Sequence, residues 1–121
     1  MNVLYGAPTG LQANGVGGPD DQFWYQGANG VDAIADDLDL FGRTLAAADF
    51  NNDGRQDLAI GVPQEDEAGA YNVGAVNVLY GSAAGLQANG VGGPNDQYWH
   101  QGSPGVNGTP ASEDGFGWAL H

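Results

Sequence analysis

The stretch from Asp49 to Asp57, "DFNNDGRQD", has oxygen-bearing side chains on alternate residues, followed by a glycine. Asp49, Asn51 and Asp53 occupy its positions 1, 3 and 5, Gly54 is at position 6, and Asp57 is at position 9. Hard cations such as calcium take about six to eight oxygen ligands, and a glycine at position 6 allows the sharp turn that brings those ligands together. The spacing therefore predicts a calcium site.

The predicted ligands are four side chains and one backbone carbonyl, and they belong to Asp49, Asn51, Asp53, Arg55 (the carbonyl) and Asp57. Magnesium needs a tighter octahedron, and zinc is disfavoured because no histidine or cysteine is nearby. The alternative is a turn without metal, since Asn, Asp and Gly are common turn residues. Three carboxylates without a cation would repel one another, which favours the metal.

The segments on either side of the loop have the pattern of β-strands. "RTLAAADF" (43–50) precedes the loop and "DLAIGVP" (57–63) follows it, so the loop connects the first two strands of a hairpin. An EF-hand loop would instead need flanking helices and an acidic residue at position 12, which here is Ile60. Within the second strand, "AIGV" (59–62) is almost continuously apolar, as expected of a strand covered on both faces.

The chain repeats itself with a shift of 75 residues. "NVLYG" occurs at 2–6 and 77–81, and "GLQANGVGGP" occurs at 10–19 and 85–94. The repeated unit contains four strand patterns: the two beside the loop, "AVNVLYG" (75–81) and "QYWHQ" (97–101). Short strands in a repeated unit of this length predict an all-β fold of β-propeller blades, each with four antiparallel strands.

Composition narrows the possible partners. The 121 residues include 22 glycines, no cysteine and only two basic residues, and the formal net charge is −13. Nucleic-acid affinity comes largely from Lys and Arg, so nucleic acid and anionic membranes are excluded as partners. No apolar segment approaches the ~20 residues of a membrane helix, and Met1 is not followed by a signal-peptide pattern. We therefore expect no membrane insertion.

The segment "FGRTLAAADFNNDGRQDLAIGVPQEDEAGAYNVGAVNVLYGS" resembles an FG-GAP repeat, the blade of integrin α-subunit-type β-propellers. Phe41-Gly42 corresponds to the FG, Gly61-Val62-Pro63 to the GAP, and 49–57 to the calcium loop between the first and second strands. The connection "QGSPGVNGTPASEDGFG" (101–117) is closer to those of bacterial secreted members. The second FG, Phe116-Gly117, is not followed by a GAP or a calcium loop.

The resemblance implies three parts. Residues 1–40 carry the third and fourth strands of a partial blade and a connection, 41–115 are a complete repeat, and 116–121 begin a further blade. This is fewer than two blades. Since blades stack their apolar faces on neighbours, we expect a homo-oligomer that completes the missing parts. The resemblance also implies an extracellular or cell-surface scaffold for adhesion or for binding a protein or glycan ligand.

Three functions remain open at the level of sequence. A lectin-like module is the first alternative to the adhesion scaffold, with Trp24 and Trp99 either stacking on sugars or packing between blades; their polar neighbours favour packing. An amplified or engineered building block is the second, because 20 of the 26 pairs from Asn2/Asn77 to Gly27/Gly102 are identical. An enzyme is not expected, because His100 has no evident nucleophile or carboxylate partner.

Overall fold

The computed structural model describes all residues from Met1 to His121 and contains nine β-strands and no helix. All strand pairs are antiparallel, as expected for an all-β chain with short connections. The strands are β1 (Asn2–Val3), β2 (Tyr5–Ala7), β3 (Gly10–Gln12), β4 (Gln22–Phe23), β5 (Thr44–Ala48), β6 (Asp57–Val62), β7 (Ala75–Ser82), β8 (Gly85–Gln87) and β9 (Gln97–Trp99).

One sheet contains β5, β6, β7 and β8 in that order, and β9 also pairs with β7. The eight-residue β7 is long enough for two partners: Tyr80 pairs with Gln87 of β8, and Val76 pairs with Trp99 of β9. The two short strands therefore share the fourth position of the sheet. The predicted four-stranded blade is confirmed, and β8 is an addition that the sequence pattern did not indicate.

Residues 2–31, here called the first copy, fold like residues 77–106, the second copy. The pairings of the first copy, β1 with β4 and β2 with β3, have the register of β7 with β9 and β8 after a shift of 75 residues. Leu4 lies between β1 and β2, so the counterpart of β7 is interrupted there. No strand corresponding to β6 is present beside β1 and β2, so these short strands lack the neighbour that supports β7.

The predicted strand at 116–121 is not formed. Phe116 makes a single parallel bridge to Gly74, and the residues after it have no strand pairing. In the complete repeat, 41–115, the corresponding strand is β5, which begins at Thr44 and is held by five residue pairs with β6. The last residues lack an equivalent of β6, so their backbone groups have no antiparallel partner.

Two apolar clusters lie on opposite faces of the blade. The first joins both copies of the repeat, because Trp24 and Val31 pack with Ile60, Leu79 and Leu86. The second lies on the other face and contains Ala59, Val76, Val78 and Tyr80, with Trp99, Phe116 and Leu120 partly buried against it. Blade-on-blade packing is thus present once within the chain. Ala59 to Val62 are all buried, as expected for a strand covered on both faces.

Candidate functional site: the acidic loop and the cleft between the repeats

The acidic loop connects β5 to β6, and the pairing of Ala48 with Asp57 closes its base. The two Asp49 carboxylate oxygens accept hydrogen bonds from the N–H of Asp53 (3.0 Å) and of Gly54 (2.8 Å). Asn51 Oδ1 accepts from the same Asp53 N–H at 3.1 Å. Because both side chains bond one N–H group, the loop brings an Asp49 oxygen and the Asn51 oxygen close together.

Asp53 belongs to the same cluster. Its Oδ1 accepts from the N–H of Arg55 at 2.8 Å, and its Oδ2 accepts from Asn51 Nδ2 at 3.2 Å. The Arg55 side chain is exposed, and its Nη1 lies 3.9 Å from Asp53 Oδ2. An exposed ion pair of this length contributes little to stability. The loop therefore keeps much of its negative charge uncompensated.

Asp57 has a different environment from the other predicted ligands. It is 1% exposed, and its two oxygens accept hydrogen bonds from the N–H of Phe50 (2.7 Å) and of Gly81 (2.8 Å). The carboxylate thus ties the start of the loop to β7. The sequence pattern predicted Asp57 as a metal ligand and did not indicate this structural role, because the bond joins β6 to Gly81 in β7, which is 24 residues away along the chain.

The donor set fits a hard cation. Asp49, Asn51 and Asp53 supply only oxygen, and each carbonyl or carboxylate oxygen has a second lone pair beyond the hydrogen bond that it accepts. Gly54 has a φ of 88° with open space around it, which gives the loop its turn. No group of three or more His, Cys, Asp and Glu side chains is close enough to hold a metal by itself. An ion here would therefore need the Asn51 amide and backbone oxygen.

A second set of polar contacts lies where the two copies meet. Gln26 Nε2 donates to Glu65 Oε2 at 2.6 Å, and both residues are buried. Burial, with the charge of Asp39 as a further cause, raises the pKa of Glu65 to about 7, although the Gln26 bond opposes the shift. Burial also raises the pKa of Tyr98, which faces the charges of Glu65 and Glu67.

A cavity of about 550 Å³ opens between the copies. Trp24 lines it but is only 4% exposed, so the interpretation of this residue as a packing residue is confirmed. The more accessible aromatic residues are Phe23 and Tyr25, which are 58% and 46% exposed and whose ring centroids are 5.5 Å apart. Asp21, Asn29, Gln87 and Asn89 add polar groups to the wall.

An antiparallel sheet that packs face to face on an equivalent sheet of the next repeat is the arrangement of neighbouring β-propeller blades. Residues 41–79 match the family model of the FG-GAP repeat, and FG-GAP repeats form β-propeller blades. The chain therefore contains an FG-GAP repeat, and the resemblance seen in the sequence is confirmed over this segment.

The phosphatidylinositol-glycan-specific phospholipase D of Rattus norvegicus is 40% identical to this chain over 45 residues. These residues are 37% of this chain and 5% of the relative, so the chain spans a small part of that protein's length. No solved structure matches the chain. The structure has no helix with the length and hydrophobicity needed to cross a membrane.

Proposed function

We propose that the chain is a calcium-stabilised part of a β-propeller scaffold, which acts in adhesion or ligand binding outside the cell. The observation that most supports this proposal is that Asp49 Oδ1 and Asn51 Oδ1 both accept a hydrogen bond from the Asp53 N–H. These oxygens lie in the turn between the first two strands of an FG-GAP blade. Calcium would be held by Asp49, Asn51, Asp53, the Arg55 carbonyl and Asp57. A cation there offsets the repulsion between the carboxylates.

The test is thermal unfolding in calcium and in chelator. A ligand that binds only the folded state raises the melting temperature by mass action. We expect a higher melting temperature in calcium, and we expect Asp53→Ala to abolish the difference. Gln56→Ala is the matched control, because Gln56 is an exposed residue of the same loop and is not a predicted ligand. Identical melting curves in calcium and in chelator would contradict calcium binding.

Self-association belongs to the same proposal. Leu11, Phe23 and Leu45 are 75%, 58% and 48% exposed, which leaves large apolar side chains uncovered on both repeats. Exposed apolar surface of this kind marks interaction sites. We expect a homo-oligomer, and the net charge of −13 makes its association weaker at low salt. Sedimentation over a dilution series at low and moderate salt is the measurement.

The proposed role is non-catalytic. His100 uses its Nδ1 in a 2.7 Å hydrogen bond with the carbonyl oxygen of Gln101, which supports a structural position for its ring. The phospholipase relative is an enzyme by name, but the matched segment is 5% of it, so its activity is not carried over to this chain.

A carbohydrate-binding module is the second candidate function, and the cavity between the copies favours it. The exposed rings of Phe23 and Tyr25 and the surrounding amides offer the stacking surface and hydrogen bonds that sugars require. Glycan-array binding that is lost in Tyr25→Ala, with Tyr71→Ala as a control away from the cavity, would support this function. No binding on the array would favour the adhesion scaffold alone.

A further inference from the structure

The two copies of the repeat place identical residues in different environments. Leu86 is 8% exposed, whereas its counterpart Leu11 is 75% exposed, although they occupy equivalent hairpins with the same register. Leu79 is fully buried, and its counterpart Leu4 is 47% exposed. Local sequence cannot cause these differences. They arise because the first copy covers this face of the second copy and β6 lies beside Leu79, whereas the first copy has neither neighbour.

The contact that buries Leu86 is specific as well as apolar. The hydroxyl of Tyr5 accepts from the Leu86 N–H at 2.7 Å. Gln22 bonds both backbone groups of Leu86: its Oε1 accepts from the N–H at 3.0 Å, and its Nε2 donates to the carbonyl at 2.9 Å. Trp24 and Val31 then pack on the Leu86 side chain. The face of the first copy that carries Tyr5, Gln22 and Trp24 thus binds the β7–β8 hairpin of the second copy.

The second copy carries the same residues at the equivalent positions, and no hairpin lies on them. Its counterparts of Tyr5, Gln22 and Trp24 are Tyr80, Gln97 and Trp99. Phe116 and Leu120 pack against part of this face, and Tyr80 is only 5% exposed. A Cβ built on Gly30 would lie 3.1 Å from the carbonyl oxygen of Ala88, because the end of the β7–β8 hairpin lies against the first copy at this point. A Cβ built on Gly105, the counterpart of Gly30, would meet nothing within 4 Å.

We define the Leu11 face as Leu4, Leu11 and Ala13, and the Gln97 face as Gln97, Trp99, Gly105 and Val106. We propose that the Leu11 face of one copy of this chain binds the Gln97 face of a second copy, with the contacts that the two repeats make inside the chain. This inference rests on the self-association proposed above and names its surfaces. It predicts hydrogen bonds from the Gln97 amide to the Leu11 backbone.

The proposed contact is head-to-tail, since the two faces belong to different repeats. Each bound copy still presents one free face of each kind, so the assembly grows beyond a dimer, into a ring if the rotation between copies closes and into a filament if it does not. The first copy has no counterpart of β6, so Ile60 of the internal contact has no equivalent across the new one. The contact between chains is therefore smaller than the internal contact and is expected to be reversible on dilution.

The experiment compares Leu11→Asp with the full wild-type chain by sedimentation at moderate salt. Leu11 is largely exposed within the chain, so the substitution leaves the folded copy intact while placing a charge in the proposed contact. We expect the association constant to fall by at least about tenfold. Val91→Asp is the control, because Val91 is 70% exposed at the tip of a turn outside both faces and adds the same charge. It should associate like the wild type.

A mixing experiment tests the head-to-tail geometry. Leu11→Asp and Val106→Asp each block one face, so each alone should be monomeric, while an equal mixture should form a dimer and nothing larger. Melting curves of each variant establish that it is folded. If the wild type associates and Leu11→Asp associates equally well, the surfaces named here are wrong. If the wild type is monomeric at every concentration, the self-association itself is wrong.

Discussion

Asp57 differs from the other acidic residues of the loop because the folded chain already uses both of its oxygens. They bond the N–H groups of Phe50 and Gly81, and the side chain is buried. Asp49 and Asp53, in contrast, bond only N–H groups within the loop. Removing Asp57 therefore affects the fold directly, and removing Asp53 affects mainly the ion.

Asp57→Ala should lower the free energy of unfolding by about 2–6 kcal/mol even in chelator, because it leaves two backbone N–H groups without an acceptor, at roughly 1–3 kcal/mol each. Asp53→Ala should cost less than about 1 kcal/mol under the same conditions. Urea unfolding of both variants in chelator is the measurement. A similar small loss in both variants would show that the Asp57 bonds do not stabilise the fold.

Glu65 makes stability depend on pH in a direction opposite to that of most carboxylates. Its pKa rises from an ordinary value of 4.5 to about 7 in the folded chain, chiefly through burial. The folded state therefore binds more protons than the unfolded state between these values, and stability falls as pH rises through this window. Burial also raises the pKa of Asp39 and of Asp96, which acts in the same direction.

Glu65→Gln should remove the part of this dependence that comes from Glu65, because the amide keeps the contact with Gln26 without a charge. In the wild type the loss should approach roughly 3 kcal/mol across the window, given 1.36 kcal/mol per pKa unit. Urea unfolding in chelator from pH 4.5 to 7, the limits set by the two pKa values, measures it. The proposal for Glu65 fails if both proteins show the same slope.

The end of β7 and its counterpart β2 allow a matched test of how a neighbouring strand restricts side-chain size. A Cβ on Gly81 would lie 2.5 Å from the Gln56 carbonyl oxygen, because the chain entering β6 runs beside β7. A Cβ on Gly6, the same position in the first copy, would meet nothing within 4 Å. The glycine is thus needed only where the blade is complete.

Gly81→Ala should destabilise the chain by about 1–3 kcal/mol through overpacking. Gly6→Ala should change stability by less than ~0.5 kcal/mol. Thermal unfolding of the two variants side by side is the measurement, and the identical chemical change makes each the control for the other. Equal losses would mean that the spacing between β6 and β7 does not set the cost.

At the scale of the whole molecule, the equivalent residues Trp24 and Trp99 lie in two different contacts of the blade. Trp24 is buried in the cluster that joins the copies, and Trp99 is partly buried on the opposite face. The contact around Trp24 is formed within one chain. The contact around Trp99 is the one that we propose is completed by a second chain.

Trp24→Ala should therefore cost about 3–5 kcal/mol at any protein concentration, as a core aromatic deletion does. Trp99→Ala should cost less in dilute solution, and its cost should grow as the concentration increases. Unfolding measured at several concentrations distinguishes the two. A concentration-independent cost of Trp99→Ala would contradict a Gln97 face covered by a second copy.

Much of the blade could be predicted from the sequence. The strands β5, β6 and β7, the loop between the first two and the repeat with its shift of 75 residues follow from local patterns, namely apolar runs, turn residues and self-similarity. The gathering of Asp49, Asn51 and Asp53 could be predicted because it depends only on a few neighbouring residues. The FG and GAP motifs indicated the family for the same reason.

Only the tertiary structure decided which of two identical residues is buried. Leu11 and Leu86 share their local sequence, and their environments differ because a neighbouring repeat covers only the second. In the same way, Asp57 is held by an N–H group 24 residues away, and 116–121 form no strand because no equivalent of β6 lies beside them. Burial and strand pairing depend on a partner segment, and local sequence does not specify whether that partner is present.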